Sequence, residues 1–128
     1  MTQEQKDLLL KDLCARLPYG VKCQCFDEKT VASLTGIKSN TELYFDELDY
    51  KELDGIIEIT YCKPYLFPLL SMTEEQKEEE QHLKEELYSF DADGNVFTLQ
   101  DFYHKNHIDF RGLIPMGLAI DVTNLDIY

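Results

Sequence analysis

The chain has 128 residues, 44% of them hydrophobic, and a formal net charge of −13. Length and apolar content suit one folded unit over residues 1–128 with a real core. The charge argues against a basic, phosphate-binding face, and so against direct nucleic-acid binding; it favours a basic protein partner or a cation.

After Met1 the first turn reads TQEQKD, with no basic start and no long apolar run, and no later stretch approaches the length of a membrane span. A cytoplasmic protein without a membrane segment is expected. Thr2 can cap a first helix over residues 2–17, with Gln5 completing a capping box. Leu10, Leu13, Cys14 and Leu17 form its apolar stripe, and Pro18 and Gly20 end it. Val21, Cys23 and Cys25 then alternate with polar residues as a half-buried strand does. Asp27-Glu28 reads as a tight turn. Residues 29–37 make a second strand of imperfect alternation, and 42–45 a short third. Residues 55–62 make the best strand, with Ile57, Ile59 and Tyr61 on one face. Strands without intervening helices predict an antiparallel sheet or small barrel of three to five strands over about residues 20–62.

KPYLFPLL, residues 63–70, has two prolines and is expected to be an extended apolar crossover. A second helix follows. Both Ser71 with Glu74 and Thr73 with Gln76 can form its capping box, and Leu83, Leu87 and Phe90 are its only apolar stripe. A third helix runs from Leu99 to about Asn106, capped by Thr98, with Leu99, Phe102 and Tyr103 buried. Gly112, Pro115 and Gly117 leave the rest as a loop packed by Phe110, Leu113, Ile114, Leu118 and Ile120. The fold class is α+β: an N-terminal helix, a sheet, two C-terminal helices and a packed loop.

Acids cluster in two blocks. Residues 42–58 hold seven against one lysine, and residues 73–88 hold seven against two. Such blocks are commonly solvated faces; the functional reading is a negative surface that docks a basic partner, with Glu74, Glu75, Glu78 and Glu79 at its centre. SFDADGNVFTLQ, residues 89–100, resembles a calcium loop, with Asp91, Asp93 and Asn95 at ligand positions and Gly94 at the turn. It has Ser89 and Gln100 where the strongest ligands belong, so only two carboxylates would face the ion. The same residues compose a common turn, here joining the second and third helices.

His104 and His107 are three apart and with Asp101 could share a helical face, but H-x-x-H alone is a weak metal signal; surface or capping histidines are the simpler reading. The four cysteines, Cys14, Cys23, Cys25 and Cys62, lack paired zinc spacing and are expected as buried thiols. No nucleophile elbow or phosphate-binding glycine loop occurs, so no catalytic residue and no cofactor are assigned. Arg111 lies among apolar and small residues and needs a carboxylate, either Asp109 or an acid of the sheet. The alternative to partner binding is a small-ligand pocket or enzyme site built on Arg111 and Asp109, with Tyr19 and Tyr65 as walls.

LLLKDLCARLPYGVK (8–22), KPYLFPLLSMTEEQKEE (63–79) and NHIDFRGLIPMGLAIDVT (106–123) resemble a family of small uncharacterised proteins from gut bacteria of the Bacteroides group, often encoded near phage or mobile-element genes. The likeness covers most of the chain but not 26–58 or 88–100. The family carries no assigned activity, so the resemblance implies an intracellular, phage-linked accessory protein and transfers no site residues.

Overall fold

A computed structural model describes residues 1–46 and 55–128. The middle of the first acidic block therefore lies outside the described residues. Helix α1 (Gln3–Arg16) starts at the expected capping box: Gln5 N–H donates to Thr2 Oγ1 at 3.1 Å, and Thr2 N–H donates to Gln5 Oε1 at 2.9 Å. Its buried face is Leu9, Asp12, Leu13 and Arg16. The expected stripe through Leu10, Cys14 and Leu17 is off by one residue, roughly 100° of helix rotation. Cys14, expected to be buried, is exposed.

Strands β1 (Lys22–Cys25), β2 (Val31–Ile37), β3 (Glu42–Phe45) and β4 (Ile56–Glu58) form the expected antiparallel meander. The β1–β2 turn is held by Asp27, whose Oδ1 accepts from Lys29 N–H and Thr30 Oγ1, both at 2.9 Å. The imperfect alternation of β2 has a cause. Its register against β3 shifts between Leu34 and Gly36, and such a bulge reverses which side chains face inward. The strand expected over 55–62 is broken: after Glu58 a 3-10 turn (Ile59–Tyr61) buries Ile59 and leaves Tyr61 outside.

The main correction concerns residues 63–70. They are not a crossover; most belong to β5 (Cys62–Pro68), which pairs with β1 inside the sheet. The prolines are tolerated for a geometric reason. Phe26 N–H donates to Tyr61 O, which makes Cys25–Cys62 and Cys23–Pro64 the non-hydrogen-bonded pairs of this ladder. The N–H that Pro64 lacks would have pointed away from β1, so no β1–β5 bond is lost.

Helix α2 (Glu74–Glu86) is capped by Thr73 with Gln76. Ser71 instead donates to Pro68 O within a preceding 3-10 turn. A hairpin of β6 (Ser89–Phe90) and β7 (Val96–Phe97) follows, then α3 (Leu99–Lys105), capped by Thr98. The C-terminal stretch is not purely loop. Strands β8 (Ile108–Asp109) and β9 (Ile120–Asp121) both pair in parallel with β5, on the edge that β1 leaves open. The fold is α+β, and its main sheet is mixed, with seven strands among the described residues.

Two apolar clusters hold these layers together. One joins α1 to the meander and β5 through Leu9, Leu13, Cys23, Leu43 and Leu66; the other joins α2, α3 and β8 through Leu83, Phe102, Tyr103 and Ile108. Each fully buried aliphatic side chain contributes about 1.5–3 kcal/mol relative to exposure. Among the described residues no helix is long and apolar enough to cross a membrane.

Candidate functional site

Arg111 reaches neither Asp109 nor the sheet. Its Nη1 donates to Asp12 Oδ1 of α1 at 2.6 Å, and the side chain is 10% exposed. Asp12 also takes the Nε of Arg16 at 2.8 Å, and both residues are wholly buried. Arg16 Nη2 donates on to Ile108 O at 2.7 Å, tying α1 to β8. Arg111 lies over the Phe110 ring, 4.3 Å from its centroid. One carboxylate thus anchors two arginines, and backbone carbonyls and an aromatic face complete their surroundings. Asp109 does different work: its two oxygens accept the Leu113 and Ile114 N–H groups, each at 2.9 Å, and shape the turn after Arg111.

His104 belongs to this network. It is buried in α3, not on the surface, and its Nε2 lies 3.1 Å from Arg111 Nη1. Arginine only donates, so Nε2 must be the unprotonated, accepting nitrogen. Burial, then Arg16 and Arg111, lower its pKa to about 4. His107 lies beyond the end of α3 at φ +56, so the two histidines share no helical face. It stacks on Tyr128 with centroids 3.8 Å apart, and burial and then Arg16 and Lys22 lower its pKa to about 4.

The two tyrosines drawn around Arg111 are in different surroundings. Tyr19 is half-buried, and its pKa is raised by burial and then by Asp101 and Asp91. Tyr65 is buried near Cys23, Cys25 and Glu28, and lines a shallow cavity of about 440 Å³ with Gln24, Lys63 and Ile120. Arg111 is not part of that cavity's lining. Cys23 and Cys25 are buried, as is Cys62 opposite Cys25 in the ladder. The Cys62 thiol is pushed far up by its hydrogen bond with Cys25 and by burial, and burial does the same to Cys23. Thiols held protonated in this way are poor nucleophiles.

The calcium-like loop closes the β6–β7 hairpin. Asp91 Oδ1 accepts the N–H groups of Asp93 and Asn95, both at 2.9 Å, and Gly94 takes φ +81. These bonds lower the Asp91 pKa. One of the two carboxylates that would face the ion is thus turned onto its own backbone. Among the described residues no group of three or more His, Cys, Asp or Glu is placed to hold a metal.

The solvent face of α2 is as acidic as the sequence suggests. Glu74, Glu75, Glu78 and Glu79 are exposed, as are Glu85 and Glu86. Lys77 and Lys84 pair with Glu74 and Glu80, each at 3.3 Å, within the helix. What the sequence reading missed is the neighbour of this face. Leu87 and Phe90, expected as anchors, are 76% and 64% exposed, and Tyr88 and Val96 are 52% and 58% exposed. Leu87 also ends α2 in the left-handed conformation, φ +68, where glycine is the usual residue. Between α2 and the hairpin is a groove of about 190 Å³, lined by Glu79, His82, Leu83, Phe90, Phe97 and Lys105. A hint was present in the sequence: four large apolar residues surround a turn too short to bury them.

Compared with known proteins, the chain matches no family model, no curated protein and no solved structure.

Proposed function

We propose that this chain is a non-catalytic, cytoplasmic accessory protein that binds a basic protein partner through the acidic face of α2. The observation that carries the reading is a juxtaposition: an exposed acidic helix runs directly into a hairpin with exposed Leu87, Tyr88, Phe90 and Val96. Neither feature alone would suffice, because charged helices are usually just solvated and single exposed apolar residues are ordinary. Together they supply the two components of a recognition surface, charge that steers a partner and apolar area that holds it.

The alternative, a ligand site on Arg111, needs that guanidinium open to a concave surface. Its side chain is instead engaged with Asp12, His104 and Phe110. Other groups suited to catalysis are similarly occupied: His104 by Arg111, Cys62 by its hydrogen bond with Cys25 and by burial, and Cys23 by burial, which keep both thiols protonated. The resemblance to Bacteroides-group proteins adds a phage- or mobile-element-linked context to the proposal.

The test is affinity capture from lysate of the source cells with the wild type and with a Glu74→Gln, Glu75→Gln, Glu78→Gln, Glu79→Gln variant. The expected result is a basic partner held by the wild type and lost by the variant. Retention of the same partner by the variant would overturn the reading.

A further inference from the structure

We propose that the groove between α2 and the β6–β7 hairpin is the anchor point of the interface and receives an arginine side chain from an arginine-rich, partly apolar segment of the partner. This rests on the partner-binding reading above and sharpens it from a surface to a position.

The walls fit an arginine. Leu83 is buried beneath the groove, and the Phe97 ring is half-buried within it, offering apolar contact to a methylene stem. Phe90, at 64% exposed, offers a ring to a planar guanidinium, which stacks on aromatic faces better than an ammonium does. Glu79 contributes a carboxylate to the same lining. Lys105 Nζ lies 5.6 Å from the Phe97 centroid, so that ring already faces a cation of the chain itself and the ring open to a guanidinium is Phe90. Helical spacing puts Glu75, Glu79, His82 and Glu86 on one side of α2, so a row of carboxylates borders the groove. Leu87 and Tyr88, next along the chain, supply exposed apolar surface for a residue beside the arginine.

Charge decides among occupants. A second copy carries the same net charge of −13 and would be repelled, and nucleic acid and anionic membrane surfaces meet the same penalty. A basic peptide is attracted from a distance and then held at short range by the aromatic walls.

The probe is a short fluorescein-labelled peptide of alternating arginine and leucine, titrated by anisotropy at low and physiological salt. Matched peptides replace arginine by lysine or leucine by serine. Glu79→Gln and Phe90→Ala are each expected to weaken binding about five-fold. Glu74→Gln, about 100° round α2 from that row, should weaken it only about two-fold. The lysine and serine peptides should bind less tightly than the parent. Phe90→Leu keeps apolar bulk without the ring and should behave like Phe90→Ala, which separates stacking from hairpin stability. Unchanged circular dichroism and Tm confirm that each variant is folded.

If every glutamate substitution weakens binding alike and both Phe90 variants bind as wild type, the groove is not the anchor, while the acidic-surface reading stands. If the peptide does not bind, or binds the four-glutamine variant as tightly as wild type, both ideas fall.

Discussion

Asp12 is the residue on which the buried charge balance turns. It is wholly buried and neutralises Arg16 while bonding Arg111. Removing one partner of such a group leaves an uncompensated buried charge, which is more damaging than losing the attraction itself. Asp12→Asn is therefore expected to destabilise the fold by about 3 kcal/mol, measured by urea denaturation. Asp12→Asn combined with Arg111→Met should lose less than the sum of the two single changes, because the residues share a bond. Simple additivity would show that Arg111 does not depend on Asp12. His104 makes a second prediction. Its pKa is 6.5 when unperturbed and about 4 in the fold, so between those values the unfolded chain binds a proton that the folded chain refuses. Its contribution is therefore present above pH 6.5 and lost as pH falls toward 4. His104→Gln should reduce the drop in Tm between pH 7 and pH 5. An unchanged drop would assign the acid sensitivity to other groups. That Arg111 needs a carboxylate was legible in the sequence; that the carboxylate is Asp12 was not. A pattern rule treats Asp12 and Arg16 as solvent-facing and turns α1 by one position; only the partners from β8 and Arg111 make their burial tolerable.

At the scale of elements, local chemistry was legible wherever it is self-contained. Three capping boxes, at Thr2, Thr73 and Thr98, each use a residue three positions away; the caps at Thr2 and Thr98 are where the sequence indicates, and for α2 the structure chooses Thr73 over Ser71. Strand β5 was misread because the rule about proline is conditional. Proline breaks a ladder only where its N–H is needed, and that depends on a register with β1 set some forty residues away. The hairpin was misread in the opposite sense: Leu87 and Phe90 have helical spacing but no core to meet. Leu87 in the left-handed region is strained by about 1 kcal/mol, so Leu87→Gly should raise stability by roughly that amount in thermal unfolding. If the residue serves binding, the same change should weaken capture of the basic peptide. A fall in stability would mean that Leu87 makes packing contacts in the fold after all. The hairpin loop also yields an expectation for metal. With Asp91 bonded to two backbone N–H groups, millimolar calcium should leave Tm unchanged, and a clear rise would show that the loop reopens around the ion.

At the scale of the molecule, the net charge of −13 works against compactness through self-repulsion. Exposed glutamates on α2 repel each other over distances that salt screens, whereas the Asp12 network is shielded from solvent and screened far less. Raising sodium chloride from low to high concentration should therefore raise Tm in the wild type, and less so in the four-glutamine variant. A Tm that falls with salt would show that attractive surface pairs such as Glu80–Lys84 outweigh the repulsion.

By itself the sequence determined the helix caps at Thr2 and Thr98, the antiparallel pairing of the early strands, the α+β class and the placement of negative charge on α2, because each depends on neighbours a few residues apart or on composition. Only the tertiary structure decided that β5 is interior, that β8 and β9 join it in parallel, that Asp12 holds two arginines and that Leu87 and Phe90 face solvent. Those outcomes depend on which distant segments supply hydrogen bonds, counter-charges and apolar cover, and no local pattern records who the distant partner will be.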